Sequence, residues 1–229
     1  MVDAGTYNKD QELYKSLVEQ IYARYPDGIT LTPEYAEFVQ ENTMSLLVRL
    51  ARYKFVARQL KASDRVLEVG SGSGLGCTFL GQHCEAVIGL DIKTTEVDEA
   101  RSLCKRDNVK FQVGDIFGQS ASHDFDCVVA LDVIEHMDTD MGRKLIAAMA
   151  RQLKSDGFLV IGTPSIHSYP HQGALSQASH VKCYDLPELV EVITEHFGRT
   201  FAFSMNDEVV HSGHHKMAWY YFVLGTCVK

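Results

Sequence analysis

Three side chains able to bind a metal or to move a proton lie within the seven residues "LDVIEHM". They are Asp132, Glu135 and His136, and they follow the apolar run "FDCVVAL". Carboxylate oxygens and a neutral imidazole suit Mg²⁺, Mn²⁺ or Zn²⁺, and an imidazole also titrates near neutral pH. If a helix begins at Asp132 or just after, the three stand at i, i+3 and i+4 and share one face. The cluster is compatible with a metal site, a cofactor contact or a surface ion pair, and its surroundings must decide between them.

A glycine-rich turn lies further towards the N-terminus, in "VLEVGSGSGLG". Gly70, Gly72 and Gly74 follow an apolar run directly, where glycine lets the backbone turn tightly and approach a ligand at the start of a helix. A dinucleotide fingerprint requires G-x-G-x-x-G/A, but Leu75 and Cys77 stand at its third position. The pattern that is present therefore indicates a different nucleoside cofactor.

Acidic residues end the first three apolar runs of this region. Glu68 opens the pattern E-x-G-x-G-x-G, Asp91 ends the second run, and Asp115 ends the third. At the second position a carboxylate can accept hydrogen bonds from both ribose hydroxyls, and at the third it can accept one from an adenine amino group. Three acidic residues at neighbouring strand ends suit a nucleoside that carries little phosphate.

Short apolar runs alternate with amphipathic segments from residue 65 onwards. The predicted strands cover 65–70, 86–91, 109–115, 125–132 and 157–164. Continuous apolar runs favour parallel strands buried on both faces, and their alternation with helices predicts an α/β doubly wound sheet. Two further runs, "RTFAFSM" and "MAWYYFVLGTCV", are joined by too short a link for a crossover helix, so the last strand is predicted to be antiparallel. Trp219 to Phe222 are predicted to be core residues.

The first 62 residues are predicted to be helical. One helix carries Leu13, Leu17, Ile21 and Tyr22 on one face, and a second begins after Thr32 as N-cap and continues to about residue 60. We expect a helical cap over 1–62 and the sheet domain over 63–229, together forming one compact domain. Arg49, Arg52 and Lys54 on the second helix either guide an anionic substrate or form a solvated helix face, and the second interpretation is favoured.

Taken together, "VLEVGSGSG", "VIGLDI", "FQVGDIF" and "FDCVVALDVIEHM" resemble, in order and spacing, the motifs of the class I S-adenosylmethionine-dependent methyltransferases. The likeness covers about residues 60–229 and is nearest to the bacterial methyltransferase type 11 and ubiquinone-pathway O-methyltransferases. It implies a Rossmann-like doubly wound sheet of seven strands with the last strand antiparallel. It also implies which residues hold S-adenosyl-L-methionine. The methionine part is held by Glu68, Gly70, Gly72 and Gly74, and the ribose by Asp91. The adenine is held by Ile92, Asp115 and Ile116, and Leu131 is a further contact of the cofactor.

Histidines are concentrated in the segments that should leave the same edge of the sheet. They are His167, His171, His180, His211, His214 and His215, with His136 facing them. The enrichment favours a polar acceptor pocket. In the ubiquinone-pathway enzymes and in small-RNA 3′-terminal 2′-O-methyltransferases, similar residues bind a divalent cation. That resemblance implies a site for Mg²⁺, Mn²⁺ or Zn²⁺ at Asp132, Glu135, His136 and His180, although Asp132 replaces the usual glutamate. Without a metal, His136 or His180 is the expected catalytic base.

Composition narrows the remaining choices. The net charge of −8 disfavours nucleic acid as a partner. The six cysteines are scattered, and we see neither a signal peptide nor a long apolar run. These features predict a cytoplasmic protein without membrane contact. The expected function is O-methylation of a small polar hydroxyl acceptor. The segment "SMNDEVVHSGHHKMAWYYF" resembles bacterial methyltransferases linked to surface-polysaccharide synthesis, and this resemblance makes a sugar or nucleotide sugar the first choice. The alternatives are a metal-dependent RNA 3′-terminal 2′-O-methyltransferase, a quinol or catechol O-methyltransferase, and a non-catalytic cofactor-binding module. The oligomeric state is left open.

Overall fold

The computed structural model describes the backbone over residues 4–229 and the side chains from residue 11 onwards. The chain forms two compact units, divided between Leu31 and Thr32. The first unit contains helix α1, Ala4–Arg24, on which Leu13, Leu17 and Ile21 are exposed. The boundary expected from the sequence, at residue 62, stays a prediction. No helix of the described residues has the length and apolar character needed to cross a membrane.

The second unit is built on a mixed sheet of eight strands in the order β3-β2-β1-β4-β5-β8-β6-β7. Strands β1 to β5 are parallel, and β8 lies antiparallel between β5 and β6. The predicted α/β fold with an antiparallel last strand is therefore confirmed. The strands are β1 Arg65–Val69, β2 Ala86–Asp91, β3 Val109–Val113, β4 Phe125–Leu131, β5 Leu153–Pro164, β6 Phe197–Asn206, β7 Val209–His211 and β8 Tyr220–Val228.

The expected number of seven strands is wrong by one. Strand β7 pairs with the end of β6 through a tight turn in which Asp207 has a φ of 50°. The turn reverses the chain within the loop that links β6 to β8. A run of three residues is too short to stand out as a period in the sequence, and for this reason the strand was not predicted.

Helices cover both faces of the sheet. Helices α3, α4 and α5 pack on one face and α6 and α8 on the other, each forming a separate core layer with the strands. Strand β4 contributes to both layers, with Val128 in one and Val129 in the other, which explains its unbroken apolar sequence. The remaining helices are α2 Pro33–Glu41, α3 Thr43–Ala57, α4 Leu75–Leu80, α5 Thr94–Leu103, α6 Thr139–Ala150, α7 Ala174–Ser179 and α8 Leu186–Thr194.

The segment predicted as one long helix after Thr32 consists of two helices. Thr32 is the N-cap of α2, as expected. Asn42 then ends α2 with φ −149° and ψ 61°, and its side chain accepts a hydrogen bond from the backbone N–H of Ser45 to start α3. An asparagine that caps the following helix competes with continuation of the preceding one. The break allows α3 to turn towards the sheet, where Ala51, Tyr53 and Val56 are buried.

Candidate functional site

A cavity of about 590 Å³ opens at the carboxyl ends of the parallel strands. We call it the first cavity. Most of the predicted cofactor residues line it, and they come from the segments that follow β1 to β4. They are Gly70, Gly72, Asp91, Ile92, Asp115, Ile116 and Leu131.

Asp91 is held in a fixed orientation at the edge of the first cavity. Its Oδ2 accepts a hydrogen bond from the backbone N–H of Gly72 and its Oδ1 accepts one from that of Lys93, each at 2.9 Å. A carboxylate offers about four acceptor positions, so each oxygen retains one for a ligand hydroxyl. The glycine-rich turn therefore orients the carboxylate that the sequence assigns to the ribose. Asp115 is also fixed, because its Oδ1 caps the 3-10 helix over residues 116–118 through the N–H of Phe117.

The glycines of the turn have two different roles. Gly70 has a φ of +74°, and a Cβ at this position would overlap the side chain of Val133. Gly74 has a φ of +86° but does not line the first cavity; a Cβ there would lie 2.6 Å from Cβ of Ala100 and 2.8 Å from Phe111. Gly70 thus borders the ligand space directly, whereas Gly74 allows α4 and α5 to pack closely.

Glu68 lies beneath the first cavity rather than on its surface. Its side chain is buried, and it accepts hydrogen bonds from the hydroxyl of Tyr53 at 2.6 Å and the thiol of Cys77 at 2.9 Å. Desolvation raises the pKa of Glu68 to about 7, although both hydrogen bonds oppose that shift. Both of its oxygens are therefore occupied by neighbouring protein groups. The sequence pattern located this carboxylate correctly at the end of β1 but gave no indication of its two partners.

The first cavity has a wall that the sequence did not predict. Helices α2 and α3 contribute Glu34, Tyr35, Arg49 and Tyr53 to it. The one available signal was the spacing of Arg49 and Tyr53, at i and i+4 on one face of a helix. A helix face carrying two polar residues is, however, equally typical of a solvated surface.

A second cavity, of about 610 Å³, adjoins the first. Four residues line both cavities: Arg49, Asp132, His136 and Ser179. Trp219 also lines the second cavity and is 61 % exposed, so its expected place in the core is wrong, whereas Tyr220 to Phe222 are buried as predicted. The error arises because Trp219 precedes the first residue of β8 and lies outside the packed sheet.

Asp132 is separated from Glu135 and His136 by the local backbone. It has a φ of 58°, and the 3-10 helix that follows covers only Ile134–His136. A helical turn does begin just after Asp132, as the sequence allowed, but it leaves Asp132 outside, so the three side chains do not share one helical face. The carboxylate of Asp132 instead receives a hydrogen bond of 2.6 Å from the guanidinium of Arg52, which stacks 4.1 Å from the ring centroid of Tyr220. The interpretation of Arg52 as part of a solvated face is also wrong.

Glu135, His136 and His180 form a compact group at the second cavity. One ligand-capable atom of each lies within 4.8 Å of those of the other two, and Asp132 is not part of this group. Nδ1 of His136 lies 3.0 Å from the carbonyl oxygen of Ser179, and Oε2 of Glu135 accepts a hydrogen bond from Thr163 at 3.0 Å. Oε1 of Glu135 and Nδ1 of His180 are buried without a hydrogen-bond partner.

The protonation of this group is set by its environment. Burial, and then the neighbouring carboxylate of Asp132, raise the pKa of Glu135 to about 8. Burial, and then the neighbouring His136, lower the pKa of His180. Both shifts favour neutral side chains near pH 7, as expected for ionisable groups brought together away from water.

The histidines expected along one rim form two separate groups. His171 lines the second cavity with His136 and His180. Nε2 of His167 and Nε2 of His215 instead lie 3.5 Å and 3.4 Å from Oδ1 of Asp185, which is the N-cap of α8. The ring of His214 packs beside that of His215, and Nδ1 of His211 accepts from the N–H of Gly213. The sequence indicated the enrichment but could not show this division.

Comparison with known families identifies the chain. The family described as "Methyltransferase domain" matches residues 67–161, from β1 into β5, and so includes the glycine-rich turn, Asp91, Asp115 and "LDVIEHM". Residues 67–161 thus match a methyltransferase domain, and the comparisons support a class I S-adenosylmethionine-dependent methyltransferase. They support an enzyme whose cofactor is S-adenosylmethionine.

Several known methyltransferases are similar to this one. The ubiquinone biosynthesis O-methyltransferase of Coxiella burnetii is 21 % identical over 162 residues, covering 63 % of this chain and 69 % of that protein. The phosphoethanolamine N-methyltransferase of Plasmodium falciparum is 29 % identical over 106 residues, covering 45 % of this chain and 40 % of that protein. These relatives methylate different atoms, and their likeness leaves the acceptor of this methyltransferase open.

Solved structures support the same fold. A methyltransferase of Thermotoga maritima aligns with a TM-score of 0.65 at 16 % identity, covering 90 % of this chain and 98 % of that chain. The N-methyltransferase NodS of Bradyrhizobium japonicum, solved with S-adenosylhomocysteine, aligns with a TM-score of 0.55 at 18 % identity, covering 83 % and 87 %.

Proposed function

We propose that this methyltransferase transfers the methyl group to a hydroxyl of a small polar acceptor bound in the second cavity, with a sugar or nucleotide sugar as first choice. The observation that carries the proposal is the distribution of unsatisfied polar atoms. Among the described residues, nine buried side-chain nitrogen or oxygen atoms lack a hydrogen-bond partner, and seven of them belong to residues lining the two cavities. Because an unpaired buried polar group costs about 1–3 kcal/mol, such a concentration indicates a ligand that pairs with them.

Five of these seven atoms belong to residues that line the second cavity. They include both donors and acceptors: Nε of Arg52, Oε1 of Glu135, Oε1 of Gln172, Nδ1 of His180 and the hydroxyl of Tyr220. A sugar offers several hydroxyls, each able to donate and to accept. A mixed set of this kind therefore fits a polyhydroxylated acceptor better than an apolar one.

The cofactor residues follow from the first cavity. We assign Asp91 to the ribose, Ile92, Asp115 and Ile116 to the adenine, and Gly70, Gly72 and Leu131 to the surface against which the cofactor lies. Glu68 and Gly74 contribute indirectly, since Glu68 holds Tyr53 at the cavity wall and Gly74 holds α4 against α5. With the cofactor bound in this way, the four residues that line both cavities would lie beside the methyl group that is transferred.

A divalent cation fits the group formed by Glu135, His136 and His180. The unpartnered Oε1 of Glu135 and Nδ1 of His180 are a carboxylate oxygen and an imidazole nitrogen, which are ordinary ligands of Mg²⁺, Mn²⁺ or Zn²⁺. When bound, the cation would lower the pKa of the acceptor hydroxyl. Asp132 belongs to the originally expected ligand set, but its carboxylate is paired with Arg52.

The protein groups themselves supply positioning and a proton acceptor. Methyl transfer requires the acceptor oxygen to lie in line with the sulfonium methyl, and this depends on how the two adjoining cavities hold their ligands. His180, with its lowered pKa, is available as a neutral base near pH 7, and His136 lines both cavities. We assign the removal of the hydroxyl proton to one of these two histidines where no cation is bound.

A quinol or catechol acceptor is the second candidate. Three large apolar side chains at the second cavity are strongly exposed: Met44 by 62 %, Leu175 by 85 % and Trp219 by 61 %. An acceptor with an aromatic ring would cover them, and the similar protein of Coxiella burnetii carries the name of a ubiquinone biosynthesis enzyme. RNA is disfavoured by the net charge of −8, and the cytoplasmic location stays a prediction.

The proposal is tested by transfer of a labelled methyl group from S-adenosylmethionine. The acceptor panel contains sugars, nucleotide sugars, catechols and a short single-stranded RNA, each with and without EDTA. We expect transfer to a sugar or nucleotide sugar, and at least a hundredfold loss in His180→Ala, with Ser155→Ala outside both cavities as control. Transfer to catechols alone would favour the second candidate. Transfer to the RNA alone, or to none of the four classes, would contradict the proposal.

A further inference from the structure

Two arginines lie one turn apart on α3 at the boundary of the cavities. Arg49 lines both cavities, and Arg52 lines the second. Nη1 of Arg49 binds Glu34 at 2.8 Å, and its guanidinium stacks 4.8 Å from the ring centroid of Phe38. Both guanidinium groups are therefore held in defined planes by an aromatic ring and a carboxylate. Two like charges so close together repel, and such pairs are typical of binding sites.

Both guanidinium groups retain unused donors. A guanidinium has five N–H groups, whereas each of these arginines makes a single side-chain ion pair, through one nitrogen. Nε of Arg52 is buried without a partner. The hydroxyl of Tyr220, a residue that is only 3 % exposed, also makes no hydrogen bond that meets the distance and angle limits, although it lies near the carboxylate of Asp132. Since the ring of Tyr220 stacks on Arg52 and both residues line the second cavity, these two unpaired donors belong to the same wall.

We propose that the acceptor carries an anionic group, a carboxylate or a phosphate, and that Arg49, Nε of Arg52 and the hydroxyl of Tyr220 form the subsite that binds it. The inference rests on the proposed function of the second cavity as the acceptor site. It narrows the acceptor to sugar acids, sugar phosphates or nucleotide sugars. A charged oxygen that accepts from several donors is the ligand that matches such a wall, since charge-assisted hydrogen bonds are the stronger ones.

The pairing of Arg49 with Glu34 does not prevent this role. That pair is partly exposed, with side-chain exposures of 30 % and 48 %, and exposed pairs contribute about 0–1 kcal/mol. Glu34 lines the first cavity and not the second. At the second cavity Arg49 is therefore present without its carboxylate partner. The partly buried pair of Arg52 with Asp132 remains in place and fixes the plane of the second guanidinium.

The subsite is tested by calorimetry on the full chain saturated with S-adenosylhomocysteine. The probes are inorganic phosphate, glucose 6-phosphate, glucuronate and glucose, so that the phosphate and carboxylate arms each have a neutral counterpart. We expect at least one anionic sugar to bind ten times more tightly than glucose. The difference should fall below threefold in Arg49→Gln, recover in part in Arg49→Lys, and shrink in Tyr220→Phe. Arg143→Gln is the matched control, because Arg143 forms a similar exposed pair with Glu195 and lines neither cavity.

The affinity for S-adenosylhomocysteine is measured in every variant, because Arg49 also lines the first cavity. Tyr220→Phe alters the second cavity alone and keeps the test decisive if Arg49→Gln fails to fold. The proposal is overturned if no anionic probe binds, if glucose binds as tightly as its anionic counterparts, or if Arg143→Gln weakens binding as much as Arg49→Gln. Anion binding without methyl transfer to any hydroxyl would contradict the proposed function and leave the subsite standing. Transfer to a neutral sugar that is undiminished in Arg49→Gln would contradict the subsite and leave the proposed function standing.

Discussion

Replacing Glu68 by glutamine should reduce the pH dependence of the folding stability. The carboxyl group of Glu68 is 1 % exposed, and burial raises its pKa from 4.5 to about 7. Between these two values the folded chain holds a proton that the unfolded chain releases, so the free energy of unfolding falls as the pH rises. A difference of about 2.5 pKa units corresponds to about 3 kcal/mol over the whole window, most of it between pH 5 and pH 8.

The assay is urea unfolding of the cofactor-free protein at several pH values from 5 to 8. The wild type should lose about 2–3 kcal/mol more than Glu68→Gln across this range. The variant itself should be about as stable as the wild type at pH 5, because the protonated carboxyl group of the wild type, like the amide, presents a donor to one of its two neighbours Tyr53 and Cys77 and an acceptor to the other. Glu37→Gln, on the exposed surface of α2, is the control and should follow the wild type. Parallel curves for Glu68→Gln and the wild type would refute the assignment of a buried, largely protonated carboxyl group.

Three further substitutions test the two cavities. Gly70→Ala places a Cβ at a residue with positive φ, where it overlaps the side chain of Val133. We therefore expect about 2–3 kcal/mol of lost stability and, by calorimetry, at least tenfold weaker binding of S-adenosylhomocysteine. An affinity within threefold of wild type would contradict this. Asp91→Asn places an NH₂ group against one of the two backbone N–H groups that now donate to the carboxylate. We expect at least a tenfold loss of affinity for S-adenosylhomocysteine without a large change in melting temperature. Equal affinity would remove Asp91 from the site. Arg52→Met leaves the carboxylate of Asp132 without its partner. Because that pair is partly exposed, we expect about 1–3 kcal/mol of destabilisation, and we expect no such loss when Asp132→Asn is already present. Additive effects of the two substitutions would show that the two side chains act independently.

The sequence predicted the sheet and the first cavity well because both depend on local patterns. The first four strands begin at the predicted residues, since each is a short segment rich in apolar residues and bounded by turn residues. Gly70 and Asp91 lie where the spacing of the motifs placed them, because tight turns at strand ends restrict which residues can follow.

The second cavity was harder to predict because it is assembled from segments far apart in the chain. Arg52 and Asp132 are separated by 80 residues, and no local period links them. The pairing changes the expected role of both residues, from a surface charge and a metal ligand to a partly buried ion pair. Trp219 shows the same limitation, since its exposure depends on where β8 begins rather than on the apolar run that contains it.

The position of β8 between β5 and β6 fixes an order of assembly. A ribosome releases β6 before β8, yet within the described sheet β6 is joined to the parallel strands only through β8. Strands β1 to β5, which carry most of the first cavity, can associate while the chain is still being made. The second cavity cannot, because Met205 at the end of β6 and Tyr220 at the start of β8 both form its wall. The growing chain thus becomes able to hold its cofactor before it can hold an acceptor, and the fluorescence of its single tryptophan, Trp219, would report the moment at which the second ability is gained.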